Sequence, residues 1–186
     1  MKAVFLDRDG VINKYPGDLQ YVKSWEEFSF LPGVKSALKK LHQNGFKVFI
    51  VSNQAGVSKG IYSQKTLDSI TGNMLKYLGG PYISGVYYCI HRNEDNCNCR
   101  KPKAGLVHLA IADAGQRGVH IDTKKSFFVG DTTRDIQTGR GAGLKTILVF
   151  SGKERPENKD SWQEQPDFTA RDLAGAVKII LKSICA

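Results

Sequence analysis

An α/β fold, a doubly wound parallel sheet of Rossmann-like type, is predicted by three features of this 186-residue chain. Short apolar runs that read as buried strands alternate with stretches whose apolar residues recur at helical spacing. Gly and Pro mark the junctions between them. Three strand candidates stop abruptly in polar groups, as strands do where their carboxyl ends line a ligand crevice.

The elements follow in order. Ala3-Val4-Phe5-Leu6 is a short buried strand. A helix is predicted from about Pro32 to Asn44, with its Pro near the start and Gly45 just past the end. Lys47 to Ser52 is a second buried strand. Gln64 to Leu78 places Leu67, Ile70, Met74, Leu75 and Leu78 at helical spacing. Gly85 to Cys89 reads as a third strand, Gly105 to Ala114 as a helix, and Ser126 to Gly130 as a fourth strand ending in Asp131. Thr133 to Ala142 is helical and Lys145 to Phe150 is a fifth strand. Gly152 to Gln165, polar and Pro-containing, reads as a loop, and a closing helix runs from about Ala170 to Ser183. Strand-then-helix order argues for parallel pairing with right-handed crossovers. One domain over 1–186 is sufficient, and no separate cap domain is expected: Gly10 to Ser29 and Gly80 to Lys103 are the sizeable excursions.

Composition narrows the function. With 41% apolar residues the chain can bury an ordinary core, and no apolar stretch approaches the ~20 residues of a membrane span. The start opens directly into a strand with no signal-peptide pattern, so a cytoplasmic protein without membrane contact is expected. The net charge of +9 points to anionic partners. The basic residues are scattered rather than interleaved with aromatics, which favours a small anionic substrate over nucleic acid. A monomer is the default expectation.

The sharpest feature is Phe5-Leu6-Asp7-Arg8-Asp9-Gly10, an apolar run ending in two carboxylates at i and i+2. Alone, it is equally a strand followed by an Asp/Gly turn. Ser52-Asn53-Gln54 follows the second strand and Asp131-Thr132-Thr133-Arg134-Asp135 the fourth. Separately, Ser52 or Asp131 could cap a helix. Together, carboxylates, a hydroxyl and a lysine describe a Mg²⁺-assisted phosphate site, because such groups are costly to bury unpaired.

These residues carry a family resemblance. Asp7-x-Asp9-Gly10, Ser52, Lys101 and Gly130-Asp131-x-x-x-Asp135 resemble the haloacid dehalogenase superfamily of phosphohydrolases. Within it the chain is most similar to the bacterial heptose-bisphosphate phosphatases, with the histidinol-phosphatases as kin. Ser52-Asn53-Gln54-Ala55-Gly56-Val57 and Cys97-Asn98-Cys99-Arg100-Lys101-Pro102 are further matching stretches. The resemblance implies removal of the 7-phosphate from a heptose 1,7-bisphosphate. Asp7 would attack phosphorus, being ionised at neutral pH without an activating base. Asp9 would protonate the departing sugar oxygen and later take a proton from water, which requires a raised pKa. Mg²⁺ would be held by Asp7, the Asp9 carbonyl and Asp131. Ser52 and Lys101 would bind the phosphoryl oxygens. Arg8, Asn53, Gln54 and Ala55 would help shape the phosphate and substrate contacts, and Arg100 would suit a second phosphate. Tyr15, Gly17 and Asp18, in a segment longer than usual, would touch substrate. Thr132 departs from the family pattern, in which a Lys tends to follow the metal-binding Asp. Asp135 would either orient the metal shell or simply occupy the first turn of its helix.

Cys89, His91, Cys97 and Cys99 form Cys-x-His-x5-Cys-x-Cys, a soft-ligand set for tetrahedral Zn²⁺. The same loop holds a structural zinc in the resembling enzymes. Four ligands leave no open position, so its role would be to fix the loop that delivers Arg100 and Lys101. His42, His108 and His120 lack such neighbours and read as surface or packing residues, and Cys185 as a free thiol. Two alternatives stand beside the heptose reading: a histidinol-phosphate phosphatase, and a zinc-stabilised nucleic-acid-binding module. The module accounts for the cysteines and the charge but not for carboxylates at two strand ends. A relative that has lost catalysis is a third class, opposed by the intact residue set.

Overall fold

The computed structural model describes residues 1–183, so Cys185 lies outside the described residues. Six parallel strands form one sheet: β1 (Ala3–Leu6), β2 (Lys47–Asn53), β3 (Gly85–Cys89), β4 (Phe127–Gly130), β5 (Lys145–Val149) and β6 (Phe168–Ala170), in spatial order β3-β2-β1-β4-β5-β6. The doubly wound prediction is met. Between β1 and β4 the winding reverses direction, which leaves a crevice at the carboxyl ends of those two strands.

Alternation along the strands explains why both faces are covered. Val4 and Leu6 point into one core with Val48 and Ile50, and Ala3 and Phe5 into the other with Phe49 and Phe128. On the first face pack α1 (Val34–Gln43), α2 (Gln64–Leu78) and α5 (Leu173–Lys182), through Leu38, Leu41, Ile70, Met74, Val177 and Ile180. The second face is covered by α3 (Gly105–Gln116), through Leu106, Val107 and Ala110. Next to it lies α4 (Thr133–Gly141), where Gly139 sits so close to Phe128 and Thr146 that a Cβ would approach each to 2.7 Å.

Two expectations need correction. Ala170 is not the start of the closing helix but the end of β6, which pairs in parallel with β5 at Leu148↔Thr169. The helix begins at Leu173 because Asp172 caps it, its carboxylate accepting from the Gly175 N–H at 2.9 Å. The polar segment after β5 also contains a short 3-10 turn over Pro156–Ser161. Neither sheet nor helix bundle is inserted between the motifs among the described residues, in keeping with the absence of a cap. The first excursion folds back instead through short pairings, Lys14 N–H to the Ser29 carbonyl and Leu31 N–H to the Ile12 carbonyl.

Candidate active site

β1 delivers Asp7 to the crevice while its backbone N–H still pairs with the Val129 carbonyl of β4 at 3.0 Å. β4 delivers Asp131, and the first turn of α4 adds Asp135. Carboxylate oxygens of all three lie within 4.8 Å of one another. Lys101 reaches into this cluster, its Nζ 2.9 Å from Asp7 Oδ1 and 2.6 Å from Asp135 Oδ1. Asp7, Asp131, Asp135 and Lys101 are exposed by 8%, 2%, 0% and 4%, so the charges interact with little solvent screening.

Glycines make this crowding possible. A Cβ on Gly10 or Gly152 would lie 2.3 or 1.9 Å from Asp131 Oδ2, and one on Gly130 would lie 2.1 Å from Asp135 Cβ. Gly10 also has φ +82, a left-handed backbone that favours glycine.

Charge is unbalanced here. Three carboxylates face one ammonium, and the titration behaviour reflects it. Burial pushes the Asp7 carboxyl up to about 6 despite Lys101, with Asp135 and Asp9 adding to the rise. Burial, followed by Asp7 and Asp135, drives Asp131 well above the ordinary carboxylate range. Burial alone would lower Lys101, but Asp135 and Asp7 hold it above its usual value. A hard divalent cation among oxygen ligands supplies the missing charge, and this donor set fits Mg²⁺.

Asp9 contradicts the expected raised pKa. Burial pushes it upward but is outweighed by the Arg8 guanidinium and by hydrogen bonds from Asn13 and Gln54, which together hold it below the usual range. Arg8 clasps Asp9 through Nη2 at 3.0 and 3.1 Å, Asn13 Nδ2 donates at 2.8 Å and Gln54 Nε2 at 2.9 Å. Arg8 is itself 1% exposed, between the rings of Phe28 and Tyr88. Its ion pair with Asp9 holds its side chain in the core, and Arg8, expected at the substrate, is not among the residues lining the cavity. Ala55 is likewise buried and lies outside the cavity lining.

A cavity of about 530 Å³ opens above the cluster, lined by Asp7, Asp9, Tyr15, Gly17, Asp18, Ser52, Asn53, Gln54, Arg100, Lys101, Asp131 and Thr132. The remaining candidates thus converge on one space. Asn53 serves Lys101 rather than facing only substrate: its Nδ2 donates to the Lys101 carbonyl and its Oδ1 accepts from the Lys101 N–H, each at 3.1 Å. Gln54 donates to both Asp9 and Ser52 Oγ, and its own carbonyl is held by the Tyr62 hydroxyl at 2.7 Å. Thr132 is the cap of α4; its N–H and hydroxyl both donate to Asp135 Oδ2, at 3.1 and 2.7 Å. Asp135 thus occupies the first turn of α4, one of the two expected places, and in addition pairs with Lys101, which was not expected.

Sequence reasoning missed Lys59, Arg134, Lys153 and Glu154 in the lining. Lys153 and Glu154 were readable by the same rule that flagged Asp7, since they follow the carboxyl end of β5.

The cysteine cluster lies between β3 and α3. Cys89, His91, Cys97 and Cys99 each offer an atom within 4.8 Å of the others. The Sγ atoms are 3.3 to 3.6 Å apart, with His91 Nδ1 3.2 Å from Cys99 Sγ. Zn–S bonds of ~2.3 Å set tetrahedral edges of about 3.8 Å, whereas a disulfide needs ~2.05 Å. The cysteines are free, and the set fits a four-coordinate soft-metal site. Arg100 Nη1 donates to the His91 carbonyl at 3.1 Å, tying the cluster to the wall of the cavity.

The family model described as polynucleotide kinase 3 phosphatase matches residues 2–182. A D-glycero-beta-D-manno-heptose-1,7-bisphosphate 7-phosphatase from Haemophilus ducreyi is 40% identical over 162 residues, 82% of this chain and 85% of that one. The chain belongs to the heptose-bisphosphate phosphatase family of the haloacid dehalogenase superfamily. A second heptose-bisphosphate phosphatase, from Chlorobaculum tepidum, is 36% identical over 185 residues, covering 95% and 92% of the two chains. A crystal structure of a D,D-heptose 1,7-bisphosphate phosphatase from B. bronchiseptica, complexed with magnesium and phosphate, matches with a TM-score of 0.84 at 32% identity, over 98% of this chain and 99% of that one.

Proposed function

We propose that this chain is a Mg²⁺-dependent phosphomonoester hydrolase that removes the 7-phosphate from D-glycero-D-manno-heptose 1,7-bisphosphate through an aspartyl-phosphate on Asp7. The observation that carries this reading is the buried meeting of Asp7, Asp131, Asp135 and Lys101 at the reversal point of the sheet.

An Asp7 carboxylate oxygen bonds to phosphorus as the bond from phosphorus to the sugar oxygen breaks, and Asp9 protonates that oxygen. Water then attacks phosphorus, gives its proton to Asp9 and releases phosphate and free Asp7. Lys101 and Ser52 bind the phosphoryl oxygens, and their fixed positions favour the charge that develops there. Mg²⁺ bound by Asp7, Asp131 and the Asp9 carbonyl would neutralise the repulsion between carboxylate and phosphate. To act as an acid, Asp9 must gain a proton against its contacts with Arg8, Asn13 and Gln54, so leaving-group protonation requires those contacts to loosen. Cys89, His91, Cys97 and Cys99 would bind Zn²⁺, which would stiffen the loop that carries Arg100 and Lys101.

The test is phosphate release with Mg²⁺ from both anomers of heptose 1,7-bisphosphate and from histidinol phosphate. The bisphosphate should be turned over at least about tenfold more efficiently than histidinol phosphate. Asp7→Asn should lower kcat by about 10³-fold or more. Preference for histidinol phosphate would move the assignment to its kin, and substantial turnover by Asp7→Asn would remove Asp7 from its role.

A further inference from the structure

The loop after β5 carries chemistry that the mechanism above leaves unused. Gly152 presses against Asp131, and the next backbone N–H, that of Lys153, donates to Asp131 Oδ2 at 2.7 Å. Ser151 Oγ ties the same turn to the Gly10 carbonyl at 2.7 Å. The backbone of Lys153 is therefore fixed relative to the reacting centre. From there Nζ crosses to Asp18 Oδ1 at 2.6 Å, and Asp18 also accepts from the Tyr15 hydroxyl at 2.6 Å.

A bisphosphate requires two anion sites in one cavity. Lys101 and Ser52 serve the reacting phosphate on the floor. On the wall, position 132 supplies a hydroxyl already committed to Asp135 rather than a cation. Lys59 is turned over the ring of Tyr21, 5.8 Å from its centroid, and Arg100, the cation expected at a second phosphate, has its Nη1 engaged by the His91 carbonyl at 3.1 Å and needs a partner on the opposite wall to enclose that group. Lys153 combines a fixed backbone, a place in the cavity lining and an ammonium held only by an exposed carboxylate. The side chains of Lys153 and Asp18 are 45% and 68% exposed, and ion pairs of that kind are weak. A phosphate, with more charge and three acceptor oxygens, can displace Asp18 from it.

We propose that Lys153 is a specificity-determining residue that receives the non-reacting phosphate of the bisphosphate, exchanging Asp18 for it. The inference rests on the heptose-bisphosphate reading given above.

The test compares the unaltered enzyme, Lys153→Ala and Lys153→Arg on heptose 1,7-bisphosphate and heptose 7-phosphate, which share the reacting phosphate but not the second one. The backbone N–H that holds Asp131 survives in both variants. Lys153→Ala should raise KM for the bisphosphate about 10- to 100-fold, the range of one charge-assisted hydrogen bond, with kcat within about threefold. KM for the monophosphate should move by less than about threefold, and Lys153→Arg should restore most of the loss. Inhibition by the product heptose 1-phosphate should weaken with the alanine variant, while inhibition by inorganic phosphate should not. Equal losses on the two substrates would mark Lys153 as a latch between loops and overturn the inference, as would no loss on either. An unaltered enzyme that releases phosphate from neither sugar defeats the functional reading as well, so the two failures are distinguishable.

Discussion

Asp131 owes its position to two residues that have no side chain. Gly10 and Gly152 bring backbone within contact of its carboxylate, and the Lys153 N–H completes its setting. Gly152→Ala forces a methyl group to within 1.9 Å of Asp131 Oδ2, and both neighbours are held by hydrogen bonds that resist yielding. The expected cost is about 1–3 kcal/mol of stability, with a fall in kcat of at least tenfold because the carboxylate proposed to bind Mg²⁺ is displaced. Chemical denaturation and steady-state kinetics check the two parts. The meeting of Asp7 and Asp131 was legible because several strands end in polar groups at once, a convergence that separate turns or caps do not explain. The burial of Arg8 was not legible: an arginine between two carboxylates at a strand end reads as a substrate contact, and only the three-dimensional placing of Phe28 and Tyr88 shows its side chain in the core. The Arg8 guanidinium so placed, with Asn13 and Gln54, outweighs burial and holds the Asp9 carboxyl below the usual range, whereas the proposed acid role asks for the opposite.

Among elements, α5 shows how a cap decides a boundary. The apolar run alone extends the helix back to Ala170, yet Asp172 starts it at Leu173 and frees Phe168–Ala170 for the sheet. A three-residue edge strand whose first two residues are exposed carries no apolar signature, which is why β6 escaped the sequence. Asp172→Ala should cost about 1 kcal/mol at pH 7. Burial raises the Asp172 pKa, but the Gly175 N–H and Arg171 outweigh it and hold it below its ordinary 3.8. A depressed acid contributes its stability above the unfolded value and loses it as pH falls through the folded one. The difference between wild type and variant in urea denaturation should therefore shrink below pH 3.8. The clustering of Cys89, His91, Cys97 and Cys99 was legible from their residue types together with the family resemblance, since three thiols and an imidazole in so short a stretch suit a soft metal. That this loop would position Arg100 and Lys101 was expected as well, but the contacts that do so were not legible, since Asn53 pairs with the Lys101 backbone and Arg100 with the His91 carbonyl only in the folded chain. Stripping the soft metal with a chelator, then restoring Mg²⁺ alone, should leave kcat/KM at least about tenfold down and lower the Tm. Metal analysis of the untreated protein should find one zinc per chain.

At the scale of the molecule, the strand order brings sequence-distant groups together. Asp7 and Asp131 are neighbours because β1 and β4 are paired, with Leu6 opposite Val129. Buried apolar runs made the parallel sheet readable, and the carboxyl-end rule made the crevice readable. The shape of the cavity was not, because its upper wall comes from the long excursion after β1 and the polar loop after β5, whose contact through Asp18 and Lys153 no local pattern announces. No helix among the described residues is long and apolar enough to cross a membrane. The net charge of +9 suits an anionic substrate reaching a cleft whose reacting floor is acidic until a cation binds. In the proposed function Asp7 itself attacks phosphorus. The most direct measurement is the stereochemical course at phosphorus, using a substrate made chiral there with sulfur and oxygen isotopes. Two successive in-line displacements, the first by Asp7 and the second by water, predict net retention of configuration. Net inversion would mean that water attacks the ester directly, and would contradict the account.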